Sequence, residues 1–357
     1  MRVIGIDPGT VSIDLCGLED GHVFLDATIP SAVAMADPAV LLGRLAAEGP
    51  VDLIAGPSGY GLPLIRGPEL SDEALRLAML AAPGDSGGIG NLGTLLRALA
   101  ASALPVVFTP GVVHLPTVPA HRKINRADIG TADKVCAAAL AIAQQAQRRR
   151  CALGDVSLIL LELGGAFTAA LAVSHGQIVD GIGGTSGPLG IRSAGALDGE
   201  VALLAGQISK ALLFTGGAES VAGGPLTNPD AFAEPSSPRQ QLAWEAWLEG
   251  GCKAVAALAI SVPRPAEIVL SGRFAAPDRV LESVTGRLAA IAPVRRATGF
   301  ARIAKAAAQG AALIADGLAG GINAPLVDVL ALRQASGSVL DHLYVVSPAG
   351  ARRRLGL

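Results

Sequence analysis

The chain opens on an apolar run that ends abruptly in polar chemistry. In "VIGIDPGT" (3–10) four mostly apolar residues lead into Asp7, Pro8, Gly9 and Thr10. Such a run predicts a buried strand closed by a tight turn. "SIDLCGLED" reads as its hairpin partner, "DG" at 20–21 as the next turn, and "HVFLDATI" as a third strand. Helical spacing then runs over 37–48, behind Asp37 and Pro38, and over 71–81, where Ser71 is placed as an N-cap. It returns over 91–102. Short apolar strands are predicted in 51–63, which ends in a glycine-rich loop, and in 104–113. A long helix covers 131–148 and ends in Arg148-Arg149-Arg150, a basic run that reads as a solvated helix C-terminus. A second three-stranded unit follows in "VSLILLEL", "FTAALAVSH" and "QIVDGIG". Helices are then predicted around 199–215, 238–261 and 302–318, with the strand "EIVLSG" (267–272) among them. Each half thus starts with a three-stranded meander and continues in helix and strand. The pattern predicts an α/β protein of two similar domains, 1–152 and 153–357, with a ligand cleft between them.

The 357 residues are half apolar with a formal net charge of -2, which offers no attraction for nucleic acid or an anionic membrane. The window 156–173 is apolar enough to raise a membrane span, but Glu162, Gly164, Gly165 and Thr168 inside it favour two buried strands around a glycine turn. The N-terminus enters a strand directly, so no signal peptide is expected and a cytoplasmic location is. Cys16, Cys136, Cys151 and Cys252 are isolated, which argues against a cluster, a zinc site or a disulfide framework. The abundance of Gly and Ala, and of Arg over Lys, reads mainly as genomic bias. Trp244 and Trp247 at helical spacing read as core or dimer packing, and a homodimer is an open expectation.

The candidate chemistry sits at the strand ends. After Asp7, a tight turn with Gly9 and Thr10 amides exposed can cradle a phosphate, and Asp7 can face a hydrated Mg2+ ion. "ELGGAFT" (162–168) repeats the device with Glu162, Gly164, Gly165 and Thr168. A third element, "IVLSGRFA" (268–275), ends a strand at Ser271-Gly272, where glycine would let a nucleotide base approach the backbone. "GIGNLG" (88–93) matches a dinucleotide fingerprint but lacks the preceding strand and the following acid, and no Walker-type loop exists.

These three elements, in this order, resemble the two phosphate motifs and the adenosine motif of the acetate and sugar kinase, heat-shock chaperone and actin superfamily. Within it the chain is most similar to butyrate kinases and to a family described as butyrate-kinase-like, over roughly residues 1–320. The likeness also rests on "IVDGIGGTSGPLGIRSAG" (178–195) and on "GNLG" (90–93). It implies two duplicated ribonuclease-H-like domains with an interdomain nucleotide cleft, the actin-like ATPase fold. The adenosine element then belongs to the C-terminal domain. It further implies ATP and Mg2+ as cofactors and phosphoryl transfer to a small molecule. The catalytic group would be Asp7, also the metal-facing residue, with Glu162, Arg122 and Arg192. Gly9, Thr10, Gly164, Gly165, Thr168, Ser271, Gly272 and Arg273 would hold the nucleotide, and Ser58, Gly59, Tyr60, Asn91 and His121 the acceptor.

The departures bear on the acceptor. Butyrate kinases grip the substrate carboxylate with an Arg in a Gly-Arg-Gly-Gly loop, whereas this loop reads "GPSGYGLP", with Pro57-Ser58 in the Arg-Gly place. Asp7 replaces their Asn, and Asp14 replaces their motif Lys. Arg66, Arg122 and Arg126 remain as sources of charge from elsewhere. Two other readings stand beside the kinase: a non-kinase ATPase working by domain motion, and a resolvase-like nuclease, which shares "GIDPG" but is normally shorter and basic.

Overall fold

The computed structural model describes residues 1–82 and 92–357. The first three strands, β1 (Arg2–Pro8), β2 (Ser12–Glu19) and β3 (His22–Pro30), form the antiparallel meander. They are followed by β4 (Leu53–Pro57), β5 (Ile65–Arg66) and β6 (Val106–Thr109), and the first sheet runs β3-β2-β1-β4-β6-β5. In the second half, β7 (Leu158–Leu163), β8 (Thr168–Ser174), β9 (Gln177–Ile182), β10 (Glu267–Ser271) and β11 (Val294–Arg296) give the order β11-β10-β7-β8-β9. β4 joins β1 in parallel, and β10 joins β7 in the same way. The two sheets therefore share one plan: an antiparallel meander whose first strand also pairs with a parallel neighbour. The apolar window 156–173 is two such strands around a glycine turn, and among the described residues no helix is long and apolar enough to cross a membrane.

β1 is central in its sheet and apolar on both faces, as a strand covered on two sides must be. One cover is the helix Ala306–Leu318, which crosses back from the second half of the chain onto β1, β2 and β4. It comes so close that a Cβ on Gly5 would lie 2.2 Å from the Ala308 carbonyl oxygen. The same helix packs on Ala132–Arg149, where a Cβ on Gly310 would lie 1.7 Å from the Cys136 carbonyl oxygen. Gly5 and Gly310 are thus packing requirements, since backbones this close leave no room for a side chain.

The second sheet is covered by Pro238–Leu258, whose Trp244 and Trp247 are buried and meet Phe232 edge-on; Trp247 also meets Phe274. The tryptophans are core. Ser71 and Asp37 cap their helices through their side chains, as their positions predict. The helix expected over 199–215 is instead a short helix Gly199–Ala205 and a single turn at Ala211–Phe214. Arg148 does not end in solvent: it donates to the buried Glu267 carboxylate. All four cysteines are free thiols.

Candidate active site

The two predicted phosphate turns are built alike. Gly9 donates its amide to the Ser12 carbonyl at 3.0 Å, and Gly164 donates to the Phe167 carbonyl at 3.0 Å. β1 and β2 pair Pro8 with Ile13, and β7 and β8 pair Leu163 with Thr168, so Asp7 and Glu162 hold equivalent places at the strand ends. The turns face each other: a Cβ on Gly165 would lie 3.5 Å from the Thr10 hydroxyl. They bound a cavity of about 330 Å³ lined from both halves of the chain.

The floor of this cavity is a cluster of charges. Asp7, Asp133, Lys134, Glu162 and Lys305 all line it. Asp133 and Lys134 open the helix Ala132–Arg149 and pair with each other, and the Thr131 hydroxyl also donates to Asp133. Burial works against the Asp133 charge, but Lys134 and these hydrogen bonds hold its carboxyl below the usual range. Burial likewise opposes the Lys134 charge, yet Asp133 and Glu162 hold the ammonium above the ordinary lysine value. Asp7 goes the other way: burial and the nearby Asp133 charge push it up to about 7, against the pull of Lys305 and Lys134. Burial also raises Glu162, opposed by Lys134 and by a hydrogen bond from Ser271.

The other end of the cavity is less polar. Gly59, Tyr60, Met79, Leu92, Thr94, Phe167 and Phe214 line it. Burial pushes the Tyr60 phenol up; Lys210 lies over its ring at 4.6 Å from the centroid. Asp128 lines this end too, with its carboxylate accepting from Gly130 at 3.1 Å and from the Thr185 amide and hydroxyl at 2.9 Å each.

Most of the residues picked from sequence meet here: Asp7, Gly9, Thr10, Gly59, Tyr60, Glu162, Gly164, Gly165, Gly272 and Arg273 line the cavity. Several do not. Thr168 is fully buried on the far side of its sheet, because one residue along a strand reverses the side-chain direction. The Gly9 and Gly164 amides are consumed inside their own turns, so a phosphate would meet the rest of each turn instead. Ser58 is buried, donating to the Thr109 carbonyl and accepting from the Leu62 amide, and so latches its loop. Arg122 donates to the Val179 carbonyl at 2.7 Å and lies 3.5 Å from Asp180, outside the cavity. Arg192 sits behind the wall, near Glu219 and the Phe214 ring. His121 is exposed on a short helix, and Ser271 acts through Glu162. Gly272, at φ +89°, is required by the chain itself: a Cβ there would lie 2.4 Å from the Leu163 carbonyl oxygen. Asn91, Gly90 and most of "GIGNLG" lie outside the described residues.

Asp133, Lys134, Asp128 and Lys305 escaped the sequence reading. One signal was available. The chain has only five lysines, Lys123, Lys134, Lys210, Lys253 and Lys305, and three of them line this cavity. In an arginine-rich chain, lysine kept at one site marks a need for a compact point charge.

The two sheets and the facing turns give the chain an actin-like α/β fold, the fold also seen in acetate and propionate kinases of solved structure. A propionate kinase from Francisella tularensis superposes with a TM-score of 0.63 at 12% identity, covering 87% of this chain and 98% of that one. The acetate kinases of Entamoeba histolytica and Porphyromonas gingivalis give 0.60 and 0.58, at 11% and 14% identity. Each alignment covers 81% of this chain, with 86% and 88% of theirs. No curated protein sequence matches the chain. The model of the family described as "Protein of unknown function (DUF1464)" matches residues 5–345, and the chain belongs to that family.

Proposed function

We propose that this protein is an ATP- and Mg2+-dependent phosphotransferase acting on a small, uncharged acceptor that carries a hydroxyl group. The observation that carries this is the pair of facing acid–glycine turns opening onto one charged floor, Asp7 and Glu162 on the strands and Asp133–Lys134 on the helix. Phosphoryl transfer needs little covalent help from the protein; it needs positioning and charge neutralisation. The residues fit Mg2+, which takes one or two carboxylates and keeps several waters. Among the described residues, no group of three or more His, Cys, Asp or Glu is placed to hold a metal by itself. Asp7 would hold the ion, which when bound supplies positive charge beside the phosphates. The mutual repulsion of Asp7 and Asp133 is what a cation there relieves. Thr10 and Gly165 flank the phosphates, and Gly272 and Arg273 border the nucleotide. Asp133, kept ionised and about a quarter exposed, accepts the acceptor's hydroxyl proton.

Nucleotide binding is the first check. ATP with Mg2+ at about 100 times its Kd should stabilise the fold by about 2.7 kcal/mol, read as a rise in Tm. No shift at millimolar ATP would remove the reading.

The lack of an available guanidinium among the described residues of the cavity argues against a carboxylic acid as acceptor, despite the likeness to butyrate kinases. Among the described residues, Arg273 is the only arginine lining the cavity, and it donates to the Thr227 carbonyl at 2.6 Å. Arg122 is tied to Val179 and Asp180, and Arg66 borders a different pocket. A carboxylate clamp needs an available guanidinium. In a hydroxylamine trap for acyl phosphate, acetate, propionate and butyrate should turn over at least roughly a hundredfold below the typical 10 per second. Turnover near 10 per second with any of them would show that a clamp exists after all.

A further inference from the structure

Lys305 reaches the first phosphate turn from a part of the chain nearly three hundred residues away. Its ammonium lies 2.8 Å from the Asp14 carboxylate and donates to the Ser12 hydroxyl. A Cβ on Gly9 would stand 3.8 Å from it. Asp14 is itself buried and fixed, accepting from the Thr28 hydroxyl at 2.7 Å, and it pairs across the hairpin with Asp7. The segment before Lys305 is held separately. The amides of Arg302, Ile303 and Ala304 donate to the Asp26 carboxylate at 2.7, 3.0 and 2.7 Å. Two carboxylates of the meander thus tie one short segment, at backbone and side chain, and the result is a lysine at the cavity wall.

An ammonium has three N–H donors, and Asp14 and Ser12 take two of them. A salt bridge serving only to dock the segment would have no need of the cavity. From this placement we infer that Lys305 is a polyphosphate-binding residue. It is oriented by Asp14 and positioned by Asp26, and it supplies to the first turn a cation that the turn's own sequence lacks. The inference deepens the phosphotransferase reading and rests on it for the identity of the ligand. It also gives Asp14 a purpose: the residue in the motif-lysine place carries the opposite charge because it holds a lysine delivered by another segment.

The test is titration calorimetry with inorganic triphosphate and Mg2+, on the full chain, for wild type, Lys305→Met, Lys305→Arg and Asp26→Ala. Wild type should bind. Lys305→Met should weaken binding tenfold or more while the melt stays cooperative, and Lys305→Arg should recover most of the loss. Asp26→Ala, which frees the segment but keeps the ammonium, should weaken binding by a smaller factor. A Lys305→Met protein that melts earlier but binds triphosphate like wild type would reduce the residue to a docking contact and overturn the inference. Wild type that binds no triphosphate would overturn it together with the phosphotransferase reading. Lys305-dependent binding with no acceptor phosphorylated would leave the inference standing and sink only the transferase reading.

Discussion

Asp7→Asn is expected to make the protein more stable and far less active. The Asp7 carboxyl is raised to about 7 in the fold by burial and by the Asp133 charge. In the unfolded chain it returns to the ordinary range near 4. The folded state therefore holds a proton that the unfolded state has lost between about pH 4 and pH 7. The stability tied to that proton is fully present below pH 4 and lost as pH rises through 7. Asn, neutral at every pH, avoids the loss. In metal-free buffer the variant should melt several degrees above wild type at pH 8, with the gap closing toward pH 4. Added Mg2+ should narrow the gap at pH 8 by stabilising wild type more. Phosphoryl transfer should fall by roughly a hundredfold or more, the scale of losing one charge-stabilising group. Equal melting at pH 8 would show that Asp7 carries no strain from its neighbours. Unchanged turnover would take it out of the mechanism.

The opposite sign is expected one turn away. Lys134→Met removes the cation that holds Asp133 and Glu162 in the charged floor. Breaking this partly buried pair from one side leaves an uncompensated carboxylate, at a cost of about 1–3 kcal/mol, below the figure for a fully buried pair. Asp133→Asn with Lys134→Met removes both charges of the pair and should restore part of that loss, with Glu162 still lacking its lysine, though not the activity. Denaturant unfolding of the single and double variants measures this. A single variant within about 0.5 kcal/mol of wild type, an ordinary surface effect, would mean that Lys134 is not the counter-charge of the floor. Lys134→Met should also raise the Asp7 carboxyl further, because Lys134 is one of the two cations that lower it. The pH–activity curve of any residual turnover should then rise at higher pH than in wild type.

These two variants explain why the site was half legible in the chain. Asp7 and Glu162 announce themselves because each stands near the end of an apolar run, two residues before a glycine, and the device occurs once in each half of the chain. Local order of this kind survives in one dimension. Asp133 and Lys134 sit in the first turn of a long helix, where an acid reads as ordinary dipole compensation. The lysine beside it runs against the dipole, a weak hint that becomes clear only when Glu162 arrives from another strand.

The alternation of apolar and polar positions, with its glycines, was enough to determine the duplicated meanders, the capped helices and the two glycine turns, because period and turn chemistry act over a few residues. Tertiary structure alone decided which face Thr168 takes, where Arg122 spends its charge, and that Ala306–Leu318 packs on β1. It alone decided that Lys305 lies beside Gly9. Those outcomes depend on which distant segments come into contact, and that is settled by close packing and by buried carboxylates choosing partners across the whole chain.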